Sequence, residues 1–246
     1  METQILKVLV GSHAHGLANP NSDYDYRGVY ITSTSELLKV EASAYKGSHW
    51  LEGDKEDNTS YEISHFLHLA TKSNPSILEV MVAPIVESTP IGLALRKLFP
   101  YVWSSKNVYF SFSGYSTNQR VKMLSDNEQY VKRKWKYTCA HIRVLLMGIQ
   151  LLRTGTMSLA VNTYNSLADD LIEDWEEYLR VVKNYTPENP PLDDWGEDIK
   201  ITTGKIIDLT DSLKTRLHEA YLANPNKVSD LNRINEFLLK VRKENW

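Results

Sequence analysis

The hydrophobic pattern of the chain falls into two regimes. Ile5-Leu-Lys-Val-Leu-Val10 is a short aliphatic run that predicts a buried strand. From Asp23 to Thr32 the pattern alternates. Asp23, Asp25, Arg27, Val29 and Ile31 share one parity and Tyr24, Tyr26 and Tyr30 the other, as a second strand requires. Between them, His13 to Ala18 predicts a short helix and Asn19-Pro20-Asn21-Ser22 a turn. Residues 33–44 predict another short helix, Tyr45 to Glu52 a third strand, and Gly53 to Asp57 a charged turn. From Thr59 to about Ser73 the period becomes helical, with Ile63, Phe66, Leu67 and Ala70 on one side and Asn74-Pro75 as the stop. Thr59-Ser-Tyr-Glu62 and Ser76-Ile-Leu-Glu79 both have the form of a capping box. A strand or turn at Val82–Val86 and a helix at Ile91–Leu98 complete this half.

The second half is helical throughout. Val131, Trp135, Thr138, Ile142, Leu145, Ile149 and Leu152 recur at alternating steps of four and three, one packing seam on a long helix over 128–153 that Thr154-Gly155 ends. Thr186 to Pro191 reads as a linker, and two amphipathic helices over 208–223 and 229–243 close the chain. The pattern predicts an α+β protein: a mixed sheet with helices over 1–110 and a helical unit over 111–246.

Composition narrows the classes. The 246 residues carry a formal net charge of −3, with 42% hydrophobic and 24% charged positions, so any nucleic-acid contact has to come from a local patch. One cysteine, Cys139, excludes a disulfide framework. The first residues show neither a basic segment nor an apolar run of signal type, and no run of about 18 apolar residues exists. A cytoplasmic protein with no membrane contact is the expectation; the oligomeric state is not legible.

The candidate chemistry lies near the start. Gly11-Ser12 follows the first strand, and a Gly-Ser turn opening a helix presents N–H groups to phosphate oxygens. A dozen residues on, Asp23 and Asp25 stand two apart in a strand pattern, which puts two hard oxygen ligands on one face, suited to Mg²⁺ or Mn²⁺. His13 and His15 flank the turn with no cysteine or third histidine nearby and read as surface turn residues. Arg27 shares the aspartates' face and could meet a phosphate or offset charge. On the long helix, Lys132, Lys136 and Arg143 form a basic stripe, with Lys134 and His141 beside it.

Gly11-Ser-His-Ala-His-Gly-Leu-Ala18, Ser22-Asp-Tyr-Asp-Tyr-Arg-Gly-Val-Tyr30, Tyr61 to Ala70 and Asn74 to Glu79 resemble the nucleotidyltransferase superfamily typified by DNA polymerase β. The nearer likeness is to its predicted members associated with RNA ligases and RNA repair. Gly114-Tyr115 with Gln119, and His141-Ile-Arg143, look like later words of the same pattern.

The resemblance implies transfer of a nucleoside monophosphate from an NTP, with an RNA or tRNA end as acceptor, by a catalytic domain over 1–110 and a helical domain over 111–246 that contributes to the nucleotide and acceptor cleft. A protein or small-molecule acceptor, or a catalytically silent nucleotide-binding module, remains open. It implies Asp23 and Asp25 as metal ligands, Gly11 and Ser12 at the phosphates, and Arg27, His141 and Arg143 as further nucleotide contacts. A third carboxylate is expected on a neighbouring strand. Asp57 is the favoured position, Glu62 the alternative that a capping role would use up, and Asp54 and Glu56 are further choices.

Overall fold

The computed structural model describes residues 2–40, 47–49, 58–184 and 203–246. Their fold is mixed α+β, as the pattern predicts: a five-stranded sheet with helices, and a helical remainder. The contacts divide the chain into two compact units, Met1–Val108 with Asn226–Trp246, and Tyr109–Pro225. The division read from sequence leaves residues 226–246 with the helical half; in the structure they join the sheet-bearing unit.

In the first unit, β1 (Glu2–Val10) runs into a single helical turn, α1 (Gly11–Ala14), and returns as β2 (Asp25–Thr32). Then come α2 (Thr34–Leu37), β3 (Ser48–His49), β4 (Thr59–Glu62), α3 (Ile63–Thr71), α4 (Pro75–Val82), β5 (Ile85–Ser88), α5 (Pro90–Arg96) and α6 (Phe99–Val102). The sheet order is β3-β4-β2-β1-β5, antiparallel except for the parallel pair β2 and β4. Val8, Val29, Tyr30, Ile63, Phe66, Leu78 and Val102 are fully buried. Each such side chain contributes roughly 1.5–3 kcal/mol by leaving water.

Three local expectations change. The strand begins at Asp25, so Asp23 precedes the ladder. Residues 59–62 are strand, and Glu62 is itself the N-cap of α3, its carboxylate accepting from the Ser64 N–H. Asn74 caps α4 by accepting from Ser76 and Ile77, with Pro75 in the first turn, so Ser76-x-x-Glu79 is not a capping box. An Asn-Pro start satisfies two of the leading N–H groups and frees the Glu79 carboxylate for other work. Only Ser48–His49 of the predicted third strand is described, pairing with β4.

The first unit also takes in the first turn of α7 (Ser105–Met123) and, much later, α12 (Leu231–Glu244), which packs on α3 and α6. The second unit holds the rest of α7, α8 (Glu128–Val131), α9 (Lys134–Thr154), a 3-10 turn (Val161–Leu167), α10 (Trp175–Asn184) and α11 (Thr203–Ala223). The predicted long helix is broken before Lys134, because Arg133 has φ −120° and ψ 15°, outside helical geometry. Val131 therefore leaves the seam and is exposed, while Thr138, Ile142, Leu145, Ile149 and Leu152 are buried as spaced. Gly155 ends α9 in the left-handed conformation. Where α7, α9 and α11 meet, Gly148 allows close approach: a Cβ there would stand 2.8 Å from Leu217 Cδ1 and 3.0 Å from Phe112 Cδ1.

Candidate active site

The antiparallel register of β1 and β2 sets Val10 opposite Asp25. The chain leaves β1 at Gly11 with φ +68°, a conformation that a side chain would strain. Space excludes one as well: a Cβ on Gly11 would overlap Oδ2 of Asp25 and lie 3.0 Å from its Cγ. The Asp25 carboxylate therefore rests against the backbone of the Gly-Ser turn, where β1 ends and β2 begins. At the first turn of a helix, the leading N–H groups lack intrahelical acceptors, so Gly11–His13 is donor-rich.

The connection that brings Asp23 back is tied at several points. Leu17, 2% exposed, anchors it, and its N–H donates to the Ser12 carbonyl at 2.9 Å. Asn19-Pro20-Asn21-Ser22 closes as the predicted turn, Ser22 N–H donating to the Asn19 carbonyl at 2.9 Å. His13 Nε2 meets the Ser22 carbonyl at 3.1 Å, and its ring stacks on Tyr24 with centroids 3.9 Å apart. Asp23 is exposed and Asp25 half-buried. Past them, the Tyr26 N–H donates to Asn58 Oδ1 at 2.9 Å, joining β2 to the residue ahead of β4.

Behind the turn stands a charged group that the sequence did not announce. Glu79 lies 4.0 Å from both His15 Nε2 and Arg27 Nη1. Arg27 Nη1 also donates to the Ser76 carbonyl at 3.0 Å. His15 is fully buried, so the surface-turn expectation holds for neither its exposure nor its surroundings. Arg27, expected at a nucleotide phosphate or as a charge balance, is turned to the α4 N-terminus. There it links the Asp25 strand, α4 and the turn.

Glu62, the alternative third acid, is committed elsewhere. It is 1% exposed, and its carboxylate accepts from the Ser64 N–H at 2.8 Å, from the Ser64 hydroxyl, and from Arg242 Nη2 at 2.6 Å. Its register partner is Tyr30, five residues along β2 from Asp25, a distance of about 16 Å at ordinary strand rise. Nothing in the local sequence announces Arg242, which is 180 positions away. Asp57, with Asp54 and Glu56, lies outside the described residues. Among the described residues, no three His, Cys, Asp or Glu side chains gather into a metal-ligating group, and no helix is long and apolar enough to cross a membrane.

The profile of the RNA repair pathway DNA polymerase beta family matches residues 3–239. The chain belongs to this family. The match runs through both compact units, beyond the stretch of resemblance read from motifs. Membership points to nucleotidyl transfer. The chain is also similar to an uncharacterized 38.9 kDa protein in the nrdC-mobD intergenic region of Enterobacteria phage T4, 25% identical over 105 residues. That likeness covers 40% of this chain and 30% of the phage protein's length. No solved structure matches.

In this member of the RNA repair family, His141 and Arg143 lie on α9 in the second unit, described here by itself. His141 is fully buried, and its Nδ1 is hydrogen-bonded to the Ser116 hydroxyl at 2.8 Å. Burial, reinforced by the charges of Lys214 and Arg120, holds its pKa down at about 4, so the ring is neutral at pH 7. Arg143 is half-buried. Lys132 has left the stripe for the α8–α9 break, where it pairs with Glu128 at 2.8 Å.

Proposed function

We propose that the protein is a Mg²⁺-dependent nucleotidyltransferase that moves a nucleoside monophosphate from an NTP to an RNA end, a tRNA end included. The observation that carries this is the seating of the Asp25 carboxylate on the Gly11-Ser12 turn. A phosphate holder and a metal holder are then immediate neighbours in one structure.

The donor set fits a hard divalent cation. Asp23 and Asp25 offer carboxylate oxygens and the surroundings offer no thiolate, so Mg²⁺ or Mn²⁺ is the group they would hold. When bound, the ion neutralises charge on the phosphates and makes an acceptor hydroxyl easier to ionise. The chain's own residues do the positioning. Ser12 and the leading N–H groups of the turn orient the β- and γ-phosphates. Gly11 keeps the turn free of side-chain atoms where the phosphates and Asp25 approach. Asp57 completes the carboxylate set, two residues ahead of Thr59, the register partner of Arg27. Glu79 holds the turn and the Asp25 strand in place through His15 and Arg27.

The test is a label-transfer screen. The four α-labelled NTPs are offered with Mg²⁺ or Mn²⁺ to total tRNA, to RNA oligonucleotides, to small-molecule hydroxyls and to the protein itself. Labelled RNA with release of pyrophosphate supports the reading, and Asp23→Asn and Asp25→Asn lower the rate by roughly a hundredfold or more. Full activity in both variants sinks the site assignment. Label on protein or a small molecule replaces the acceptor, and NTP binding without pyrophosphate release makes the chain a binding module.

A further inference from the structure

A layer of polar side chains sits one turn beyond the close packing of Phe112, Gly148 and Leu217 in the second unit. Ser116 and Arg120 follow Phe112 at successive steps of four on α7, His141 is two turns before Gly148 on α9, and Lys214 and Asp211 precede Leu217 at successive steps of three on α11. The contacts agree with this placement. Ser116 Oγ is 2.8 Å from His141 Nδ1, and Arg120 is ion-paired with Asp211.

Two features of the layer are left unmatched by the described residues. His141 Nε2 is buried and, among the described residues, has no hydrogen-bond partner, an unfavourable state for a polar group. Lys214 is half-buried and, among the described residues, makes no ion pair or hydrogen bond. Asp211 already serves Arg120. Counted over the described residues, the cluster of Arg120, Lys214, Asp211 and a neutral His141 therefore holds one positive charge in excess, partly shielded from water. A half-buried cation whose neighbouring carboxylate, Asp211, is already ion-paired with Arg120 is an unfavourable arrangement that an incoming anion would relieve.

We propose that Lys214 and Arg120, backed by His141 and Ser116, form a phosphate-binding site in the helical unit. A phosphate group suits the set because it accepts from an ammonium and a guanidinium together, while the buried neutral imidazole behind them adds no competing negative charge. The source is either a nucleotide phosphate or an RNA backbone. This assignment rests on the nucleotidyl-transfer reading and adds to it a phosphate contact within the helical unit, described by itself.

Binding is measured on the full chain in EDTA and in an Asp25→Asn background, so the outcome does not depend on catalysis or on a metal at the turn. The probes are inorganic pyrophosphate and a labelled single-stranded RNA oligonucleotide, each titrated at several salt concentrations. The expected result is at least fivefold weaker binding of one probe in Lys214→Met, with the salt slope reduced by about one. Lys214→Arg retains affinity, and Asp211→Asn, which removes the competing carboxylate, tightens it. Loss for pyrophosphate assigns the site to nucleotide phosphates, and loss for the oligonucleotide alone assigns it to RNA backbone. Unchanged affinity in Lys214→Met, no gain in Asp211→Asn, or no binding of either probe overturns the proposal.

Discussion

The carboxylate of Asp25 occupies the volume that a side chain on Gly11 would need. Two residues 14 positions apart are thus locked together, because β1 and β2 pair with Val10 opposite Asp25. Gly11→Ala should therefore fail twice. The left-handed conformation costs a side chain roughly 1–2 kcal/mol, and the methyl group displaces the Asp25 carboxylate. Chemical denaturation should show a loss of that order, and label transfer should fall far more than stability does. Normal transfer by a folded Gly11→Ala protein would separate Asp25 from the chemistry.

The two candidate third acids should part cleanly. Arg242→Met leaves the Glu62 carboxylate buried without its cation, at a cost of roughly 3–5 kcal/mol, and Glu62→Gln in the same chain should recover part of it. Activity per folded molecule stays near normal in that pair. Asp57→Asn should do the reverse, lowering the rate with little change in the unfolding midpoint. Glu62→Gln losing activity while fully folded would reverse the assignment.

Glu79 touches the turn through His15 and the Asp25 strand through Arg27, each at 4.0 Å, and acts on position rather than on bonds. Glu79→Gln should raise the KM for NTP severalfold with a smaller effect on kcat, the opposite balance from Asp25→Asn. Steady-state kinetics with both variants check this, and an unchanged KM removes Glu79 from the site.

His141 makes stability depend on pH in a stated direction. Its pKa falls from an ordinary 6.5 to about 4 on folding, so the unfolded chain binds the proton more readily. Its contribution is fully present above about pH 6.5 and is lost as pH falls toward 4, amounting to about 3 kcal/mol. Denaturant midpoints measured from pH 7 to 4 should slope accordingly, and His141→Gln should flatten that slope. An identical acid limb in the variant would show that His141 is not the group responsible.

The sequence by itself determined the α+β class, the strand–turn–strand that carries Gly11, Ser12 and Asp25, and the buried seam of α9, because period and turn chemistry are local properties. It also pointed to the family, since the motif words are contiguous stretches. Capping was less legible: Glu62 and Glu79 both fit a capping box by spacing, yet the N-caps are Glu62 and Asn74. Only the tertiary structure decided what those acids do. Glu62 meets Arg242 from the far end of the chain, and Glu79 meets His15 and Arg27 from two other elements. The same holds for the second unit, where Ser116, His141 and Lys214 come from three helices. A partner is legible in sequence when it lies within a turn or a paired strand. When burial brings together side chains from distant segments, packing alone selects the partner, and no spacing records it.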